Sequence, residues 1–422
     1  MDIGLIALIV LVIVIALGFW KKMNVGLLAI AAATVLGYAS GLFTGKEIIK
    51  GFSSSLFMTL LGVTFLFGVV QSNGCLEKLM RKSVTIFGKQ VWMVPILMYI
   101  MGWVMSAIGP GCVPTLAFVA AVAIPLAHAT GYNPIMLMMI GDVATYSGRF
   151  TPITPEGVLV TKLLAEQGYT INLLPMILNV GIGTLILSVI FFVFYKGYRV
   201  KAAARIDDTV TPPIEKFTGK QYMALAGIVV MIAAVIFIKV DVGLASFVVA
   251  MVLLLLGVGE EKAVLKGIPW GTLLMVTGVG VLMNLVIGTG GIDMLATSLA
   301  GIMTPATAPA LIGLTAGCMS WFSSTMGVVL PTLVPTLGKI AETVGTVTVL
   351  ELVSVIGIVS SSAGFSPAST VGALIMAAHD GDPEYAKTKA PGKLFVEMFL
   401  WSIFCVLFLC VLALTGLFGI FK

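Results

Sequence analysis

Hydrophobic and polar positions follow one another along this chain in long blocks. An apolar run of about 20 residues is long enough to cross a bilayer as an α-helix. We interpret as membrane spans, or as pairs of half-spans, the runs 3–20, 24–43, 53–73, 91–127, 134–163, 171–195, 221–238, 242–258, 270–289, 306–341, 346–377 and 394–419. The pattern predicts an all-α polytopic membrane protein.

Four of these runs are interrupted in their middle by Gly, Pro, Ser and Thr. The interruptions are IGPGCVP (108–114), SGRFTPITPEG (147–157), SSTMGVVLP (323–331) and SSAGFSPASTVG (361–372). One such kink is common in a membrane helix, but a backbone that leaves the helix inside hydrocarbon has to line protein or a water-filled cavity. Matched interrupted spans are typical of the substrate site of a secondary transporter. We therefore predict two re-entrant hairpins, 91–127 and 306–341, and two broken spans, 134–163 and 346–377.

The second half of the chain repeats the first at a nearly constant separation. Gly62, Gly74 and Leu79 match Gly278, Gly290 and Leu295 at 216 residues, Met105 and Ser106 match Met319 and Ser320 at 214, and Pro152 and Gly157 match Pro367 and Gly372 at 215. The halves 1–195 and 221–422 are joined by a polar linker, 196–220, and each has five crossings, one of them broken, plus one hairpin. Because five is odd, two such repeats are expected to lie inverted to one another.

Composition and charge support a membrane protein and predict its orientation. Hydrophobic residues make up 59% of the chain and the mean hydropathy is +1.12, beyond the range of a soluble domain. If the linker is cytoplasmic, 17 of the 24 Lys and Arg residues lie inside, six lie outside, and Arg149 lies within the membrane. This distribution predicts a prokaryotic cytoplasmic (inner) membrane protein with both termini extracytoplasmic. The net charge of +5 sits in short loops and not in a basic tail, so no nucleic-acid partner is expected.

The reactive residue types argue against an enzyme. The chain has two histidines and five cysteines with no CxxC spacing, and no nucleophile lies beside a base in a recognisable motif. We expect no transition metal and no organic cofactor.

The interruptions also suggest where ligands bind. A hydroxyl residue ahead of a proline is a helix start, as in Thr151–Pro152 and Ser366–Pro367, and Thr154 with Pro155 and Glu156 offers a second possible start. In the first hairpin a new helix is expected near Pro114. Helix N-termini favour an anion, whereas unwound carbonyls and hydroxyls suit sodium.

The candidate residues form two sets. For the anion they are Gly109, Pro110, Gly111, Arg149, Thr151, Pro152, Ser323, Ser324, Thr325, Ser366 and Pro367. For the cation they are Ser106, Gly109, Cys112, Gly148, Ser320, Ser323, Ser324 and Gly364. We expect side-chain contacts from the second hairpin and mainly backbone contacts from the first.

Arg149 is the most informative single residue. A guanidinium at membrane depth costs ~2.5–3.5 kcal/mol on insertion scales, so it needs a partner. The partner is a substrate carboxylate, or Arg149 takes the place of a bound cation, or it forms a structural pair with Asp142 or Glu156. Glu156 also suits the N-terminus of a helix, and Asp142 and Glu351 are candidate proton carriers.

These segments resemble the malonate and C4-dicarboxylate carrier (MatC-like) family of the larger ion transporter superfamily, which includes the divalent anion:sodium symporters. The resemblance rests on GFSSSLFMTLLGVTFLFGVVQSNG (51–74), the GPG hairpin, the FTPIT break, SSTMGVVLP and AGFSP. It implies a homodimer of scaffold and transport domains, elevator-type movement, and a sodium-coupled dicarboxylate site between the hairpin tips and the broken spans. Neither hairpin has the Asn of the symporters' Ser-Asn-Thr signature, and Arg149 stands where the relatives have a small residue, so one cation site is expected to be altered.

The sequence thus predicts a sodium-driven secondary transporter of a small organic anion. Three alternatives remain open at this point: the membrane subunit of a binding-protein-dependent carrier or of a sodium-pumping decarboxylase, a cation/proton antiporter of the same superfamily, and a membrane enzyme.

Overall fold

The computed structural model describes residues 2–76, 78, 82, 90–109, 112–200, 216–367 and 369–422. Throughout these ranges the chain is built from helices and the short connections between them. Three stretches named above lie outside the described residues: Leu79, the Pro110–Gly111 pair, and residues 201–215 of the linker.

The helices of the first half follow the predicted spans closely. They are α1 (Ile3–Lys21), α2 (Val25–Ser40), α3 (Gly45–Lys50), α4 (Ser54–Ser72), α5 (Val94–Ile108), α6 (Cys112–Thr130), α7 (Pro134–Gly148), α8 (Pro155–Ala165) and α9 (Leu173–Phe194). A 3₁₀ turn, Val91–Met93, precedes α5. The short helix α3 is an addition to the prediction, and a capping box between Thr44 and Glu47 stabilises its start.

The second half has the same succession of long helices with more short ones between them. They are α10 (Gly219–Ala233), α11 (Val242–Leu255), α12 (Glu261–Gly267), α13 (Trp270–Gly288), α14 (Gly291–Gly301), α15 (Ala308–Phe322), α16 (Leu330–Leu333), α17 (Leu337–Val344), α18 (Val349–Ser362), α19 (Thr370–Gly381), α20 (Tyr385–Thr388) and α21 (Pro391–Ala413). Two π-helical stretches, Ala234–Ile238 and Thr325–Val329, follow α10 and α15.

The lengths and surfaces of the helices are those of a membrane protein. Among the described residues, five helices are long and apolar enough to cross a bilayer: Gly45–Ser72, Val91–Ile108, Leu173–Phe194, Trp270–Gly288 and Gly392–Ala413. Seven further apolar helices are shorter. Large apolar side chains face outward, with Phe237 82% and Leu255 81% exposed. Such faces are covered by lipid in a bilayer.

The two halves pack together through glycines. Helix α2 lies on α13, where a Cβ at Gly278 would overlap the backbone of Gly26, and α11 lies on α4, where a Cβ at Gly62 would overlap the backbone of Gly243. Gly26 and Gly243 are 217 residues apart, and Gly62 and Gly278 are 216 apart. Small residues allow membrane helices to approach closely and to gain van der Waals contact. Each half therefore contributes one helix to each of two matching crossings.

Each hairpin packs on the broken span that follows it in the chain. Helix α5 lies on α7, where a Cβ at Gly102 would overlap the carbonyl oxygen of Gly141. Helix α15 lies on α18, where Gly317 faces Val359. These contacts bring each hairpin tip to the interruption in its neighbouring span.

The crossing of α4 with α11 gives a test of this packing. A methyl group in Gly62→Ala would overlap the Gly243 carbonyl, and backbone cannot move aside as a flexible side chain can. We expect the variant to lose about 1–3 kcal/mol of stability, measured as a lower thermal unfolding midpoint of the detergent-solubilised protein. Gly301→Ala is the matched control, because open space surrounds that position. Equal midpoints for Gly62→Ala and the parent protein would contradict the close crossing.

Candidate functional site

The turn that interrupts the first broken span is closed by the side chain of one threonine, Thr154. Helix α7 ends at Gly148 and α8 begins at Pro155, with Thr154 as its N-cap. The Thr154 hydroxyl accepts a hydrogen bond from the Gly157 N–H (3.1 Å) and reaches the carbonyl oxygens of Thr151 (2.8 Å) and Arg149. One side chain thus satisfies backbone groups on both sides of the break.

The second broken span is closed in the same way. Helix α18 ends at Ser362, a 3₁₀ turn covers Ala363–Phe365, and α19 begins at Thr370. The Ser369 hydroxyl donates to the Gly364 carbonyl, and the Ser369 N–H donates to the Ser366 carbonyl (2.9 Å). In the first break the Thr154 N–H makes the corresponding bond to the Thr151 carbonyl (3.1 Å).

The correspondence between the breaks is residue by residue. A separation of 215 residues relates Thr154 to Ser369, Arg149 to Gly364, and Thr151 to Ser366. The same separation relates Gly157 to Gly372, where a Cβ would overlap the carbonyl oxygens of Thr151 and Ser366, respectively. Both breaks therefore share a turn that a hydroxyl closes and a glycine tightens, whereas the side-chain N-cap bond, from the Gly157 N–H to Thr154, is made in the first break and not by Ser369 in the second.

This geometry corrects the predicted helix starts. The starts at Thr151–Pro152 and Ser366–Pro367 are wrong by three residues, and the alternative start at Thr154 is the one adopted in the first break. The reason is that Thr151 and Ser366 use their carbonyls to close the turn that precedes each helix. The Thr151 hydroxyl donates instead to the Ala107 carbonyl (2.7 Å) and so ties the break to the first hairpin.

The tip of the first hairpin is packed against both α4 and α7. Gly109 has φ +138°, a conformation that favours glycine, and a Cβ there would overlap the Phe67 ring. Helix α6 begins at Cys112, two residues before the predicted start. The Cys112 Sγ lies 3.3 Å from the Thr145 Oγ1. Ser106 donates to the Trp103 carbonyl (3.0 Å) and lies against Gly148, which has no room for a side chain.

The tip of the second hairpin carries the hydroxyls. Ser323 is extended and donates to the Met319 carbonyl (2.6 Å), and Ser324 caps the π-helix by accepting from the Gly327 N–H (3.1 Å). Ser320 donates to the Ser360 carbonyl of α18 (2.7 Å) and lies 3.2 Å from the Thr325 Oγ1. The tip therefore joins the second broken span through a polar contact from Ser320. That the hydroxyls of this hairpin contact a ligand stays a prediction.

Arg149 connects the two broken spans. Its Nη2 lies 3.4 Å from the Glu156 Oε1, and its Nη1 donates to the Ser361 Oγ on α18 (3.2 Å). Both charged side chains are only 7% exposed. Of the two structural partners considered from the sequence, Glu156 pairs with Arg149, whereas Asp142 accepts from the Tyr146 hydroxyl (2.5 Å).

Buried polar atoms at the breaks are left available for a ligand. Among the described residues, four buried side-chain atoms have no hydrogen-bond partner: Arg149 Nε, Glu156 Oε2, Thr332 Oγ1 and Ser362 Oγ. Three of the four belong to the broken spans. Leaving a buried donor or acceptor unsatisfied costs about 1–3 kcal/mol, more for a charged group, so these positions favour a water molecule, an ion or a polar solute.

The remaining candidates lie around this cluster. Pro152 is exposed and Pro367 half-buried at the surfaces of the two breaks, while Ser366 is buried. Pro110 and Gly111 lie outside the described residues. Sequence reasoning missed Ser369 as a closing hydroxyl, although its separation from Thr154 identifies it, and missed Ser361, which only the packing of α18 near Arg149 reveals.

The fold and the interrupted spans define a polytopic helical membrane protein. Residues 1–148 match the family model described as the dicarboxylate carrier protein MatC N-terminus, which confirms the resemblance over this part of the chain. The crystal structure of the Alcanivorax borkumensis YdaH transporter, described as having an unusual topology, is similar, with a TM-score of 0.56, 12% identity, and coverage of 87% of this chain and 86% of that one. At this identity the likeness is one of fold. No curated protein matches the chain.

The closing hydroxyl of the first break can be tested directly. Thr154→Ala removes the N-cap and leaves the Thr151 and Arg149 carbonyls short of a donor, so we expect a loss of at least about 1 kcal/mol in the free energy of unfolding. Thr154→Ser keeps the hydroxyl and should lose much less. Thr161→Ala, on the exposed face of the same helix, is the control. If Thr154→Ala and Thr161→Ala unfold at the same midpoint, the hydroxyl is not needed to hold the break.

The buried ion pair predicts a strong coupling between its two members. Arg149→Gln leaves the Glu156 carboxylate buried without its partner, so we expect it to lose about 3–5 kcal/mol, and Glu156→Gln should behave alike. The double variant should lose clearly less than the two single losses combined, with a coupling of about 0.5–3 kcal/mol. Thermal or denaturant unfolding of the four proteins measures this, and strictly additive losses would show that the pair does not interact.

Proposed function

We propose that this protein is a secondary active transporter of a small dicarboxylate, driven by sodium and operating by elevator-type alternating access. The observation that carries the proposal is the pair of similarly closed breaks joined by the contact between Arg149 and Ser361. Two further findings support it: the match of residues 1–148 to a family described as dicarboxylate carriers, and the likeness of fold to a transporter.

The proposed substrate site lies where helices α8 and α19 begin. Their N-terminal N–H groups and dipoles favour negative charge. A substrate carboxylate accepts a hydrogen bond from the Arg149 Nε, whose donor is free among the described residues, while the Nη groups keep Glu156 and Ser361. The other carboxylate is placed toward the hydroxyls of Ser324 and Thr325. A dicarboxylate suits this arrangement because polar groups stand at both ends.

Charge balance supports coupling to a cation. Arg149 and Glu156 together are neutral, so a dianion would enter a buried site without compensation. Moving such a charge out of water is costly unless opposite charge accompanies it. We propose that sodium supplies it, with oxygens of the second break and hairpin as ligands, among them those of Ser320, Ser362 and Gly364. Sodium is bound by oxygens of this kind where helices unwind.

The two breaks are proposed to differ in their cation sites. Arg149 stands in the first break at the position that Gly364 occupies in the second. A guanidinium carries a permanent charge, so the first break has a fixed cation and the second takes a mobile one. The first-hairpin candidates Ser106, Gly109, Cys112 and Gly148 then shape the site without binding sodium strongly.

The proposed movement separates two groups of helices. The scaffold comprises α1–α4 and α10–α14, arranged around the crossings of α2 with α13 and α4 with α11, and the transport body comprises the hairpins and broken spans. Lys162 on α8 links the two, because its Nζ lies 2.9 Å from the Ser55 Oγ of α4 and 3.9 Å from the Asp241 carboxylate. We propose that two copies form a homodimer through scaffold surfaces, in the inner membrane of a prokaryote.

Uptake by the purified chain tests the function. Reconstituted in liposomes without other proteins, it should take up labelled succinate or malonate saturably when sodium is higher outside, and choline in place of sodium should abolish uptake. Saturable uptake that persists without sodium would contradict the coupling. Absence of organic-anion uptake by correctly folded protein would contradict the function, and would favour a subunit that needs a soluble partner or an antiporter.

The variant Arg149→Lys distinguishes a role of Arg149 in substrate binding from its role in stabilising the fold. Lysine keeps the charge beside Glu156 but loses the Nε donor and the planar geometry of the guanidinium. We expect the KM for succinate to rise about tenfold or more, as for the loss of a hydrogen bond to a charged group, with a smaller effect on the unfolding midpoint than Arg149→Gln. The exposed Lys339→Gln serves as the control and should leave KM unchanged. An unchanged KM for Arg149→Lys would exclude Arg149 from the substrate site.

A further inference from the structure

Both histidines of the chain meet at one end of the molecule, away from the breaks. His128 lies in the last turn of α6 and His379 in the last turn of α19, and these two helices pack together. Both rings lie near that of Tyr385, with the His128 ring stacked on it at a centroid distance of 4.5 Å and the His379 ring tilted to it at 6.3 Å. Both histidines line a cavity of about 410 Å³. The cluster joins the first hairpin to the second half of the chain.

His128 faces a carboxylate at each ring nitrogen. Its Nε2 lies 2.9 Å from the Asp382 Oδ2, and its Nδ1 lies 3.3 Å from the Glu384 Oε2. A neutral imidazole has one N–H and one lone pair, so it can donate to only one carboxylate and turns its lone pair toward the other. The protonated ring donates to both. Both hydrogen bonds can therefore be donated only by the imidazolium form of His128.

The position of Asp382 is itself fixed. Its Oδ1 accepts from the N–H groups of Glu384 and Tyr385, both at 3.0 Å. The hydrogen bond from His128, followed by the bond from the Tyr385 N–H, lowers the pKa of the Asp382 carboxyl, which keeps it ionised as a partner for His128. The segment from Asp382 to Tyr385 thus forms a rigid acceptor for the histidine.

The other titratable groups around the cluster are occupied elsewhere. His379 is 2% exposed and its Nδ1 pairs with Asp380 on the same helix (3.0 Å). Lys389 pairs with Glu397, which also accepts from the Tyr195 hydroxyl (2.6 Å). Burial raises the pKa of Tyr385 to about 12, so its hydroxyl stays neutral. Tyr132 also lines the cavity. Histidine is the side-chain type that serves as a proton switch near neutral pH, and among the described groups of this cluster His128 is the histidine whose bonds join the two halves.

We propose that His128 is a proton-operated clamp: when protonated it holds the outer end of the first hairpin to the Asp382–Tyr385 segment, and when neutral it releases one of the two bonds. The other end of α6 is the hairpin tip at Cys112. Loss of a bond at His128 therefore loosens helix α6, which carries the hairpin tip at its other end. With the linker 196–220 cytoplasmic, as the charge distribution predicts, this end of α6 also faces the cytoplasm, so acid on that side strengthens the bonds of His128. This consequence, unlike the clamp itself, rests on that predicted orientation and on the proposed function.

Hydrogen exchange on the purified protein tests the clamp without relying on transport. After correction for the intrinsic pH dependence of exchange, amides of 122–130 and 382–388 should exchange about two- to fivefold more slowly at pH 6 than at pH 8, as expected for partly exposed ion pairs. His128→Gln should abolish the difference, and Glu384→Gln, at a carboxylate that is 78% exposed, should reduce it without endangering the fold. His379→Gln is the matched control and should retain it. The clamp is refuted if the parent protein shows no difference, if Glu384→Gln leaves it intact, or if only His379→Gln removes it.

Transport then distinguishes the clamp from the proposed function. If the exchange result holds and uptake is found, lowering the pH on the side of His128 should slow uptake by the parent protein about two- to fivefold relative to His128→Gln. If the exchange result holds and no uptake occurs, the clamp stands and the transport function is wrong.

Discussion

The structure depends on the need to satisfy backbone polar groups where a helix stops inside hydrocarbon. Each unsatisfied N–H or C=O there costs several kcal/mol, and both broken spans meet this need with one side-chain hydroxyl, from Thr154 or Ser369. The hydroxyl fixes the length of the break, and the glycine that follows in each helix allows the closing carbonyl to approach. As a result two helix N-termini, α8 and α19, are held within the membrane body with oriented donors.

The second determinant is the placement of charge. Arg149 and Glu156 are buried as a pair, and Ser361 from the other half accepts a hydrogen bond from the guanidinium Nη1. A buried pair of this kind is weak evidence for stability, and its position at a break, with one nitrogen and one oxygen still free, supports a role in recognising an anion. The glycine at the corresponding place in the second break, Gly364, makes the two related structures chemically different.

Much of this arrangement follows from the sequence. The lengths of the apolar runs predict the long helices to within a few residues, since hydrocarbon thickness sets them, and Gly, Pro and hydroxyl residues locate the four interruptions. The helix starts were predicted three residues early because Pro152 and Pro155 both satisfy the proline rule, and only the closing bonds of Thr154 select between them. The partner of Arg149 could not be chosen either, because Asp142 and Glu156 are seven residues away on opposite sides in the chain. The short helices α3, α12, α14 and α20 were not predicted, because none of them forms a long apolar run. The inverted orientation of the two halves stays a prediction.

The most direct measurement of the central claim is a structure of the protein in lipid nanodiscs with sodium and 2-bromosuccinate, with the bromine located by anomalous diffraction or by difference density. The account predicts the halogenated dicarboxylate between the two breaks, with one carboxylate on the Arg149 Nε and the other toward Ser324. A dicarboxylate bound elsewhere, for example in the cavity beside His128 and Tyr385, with the two breaks unchanged, would contradict it.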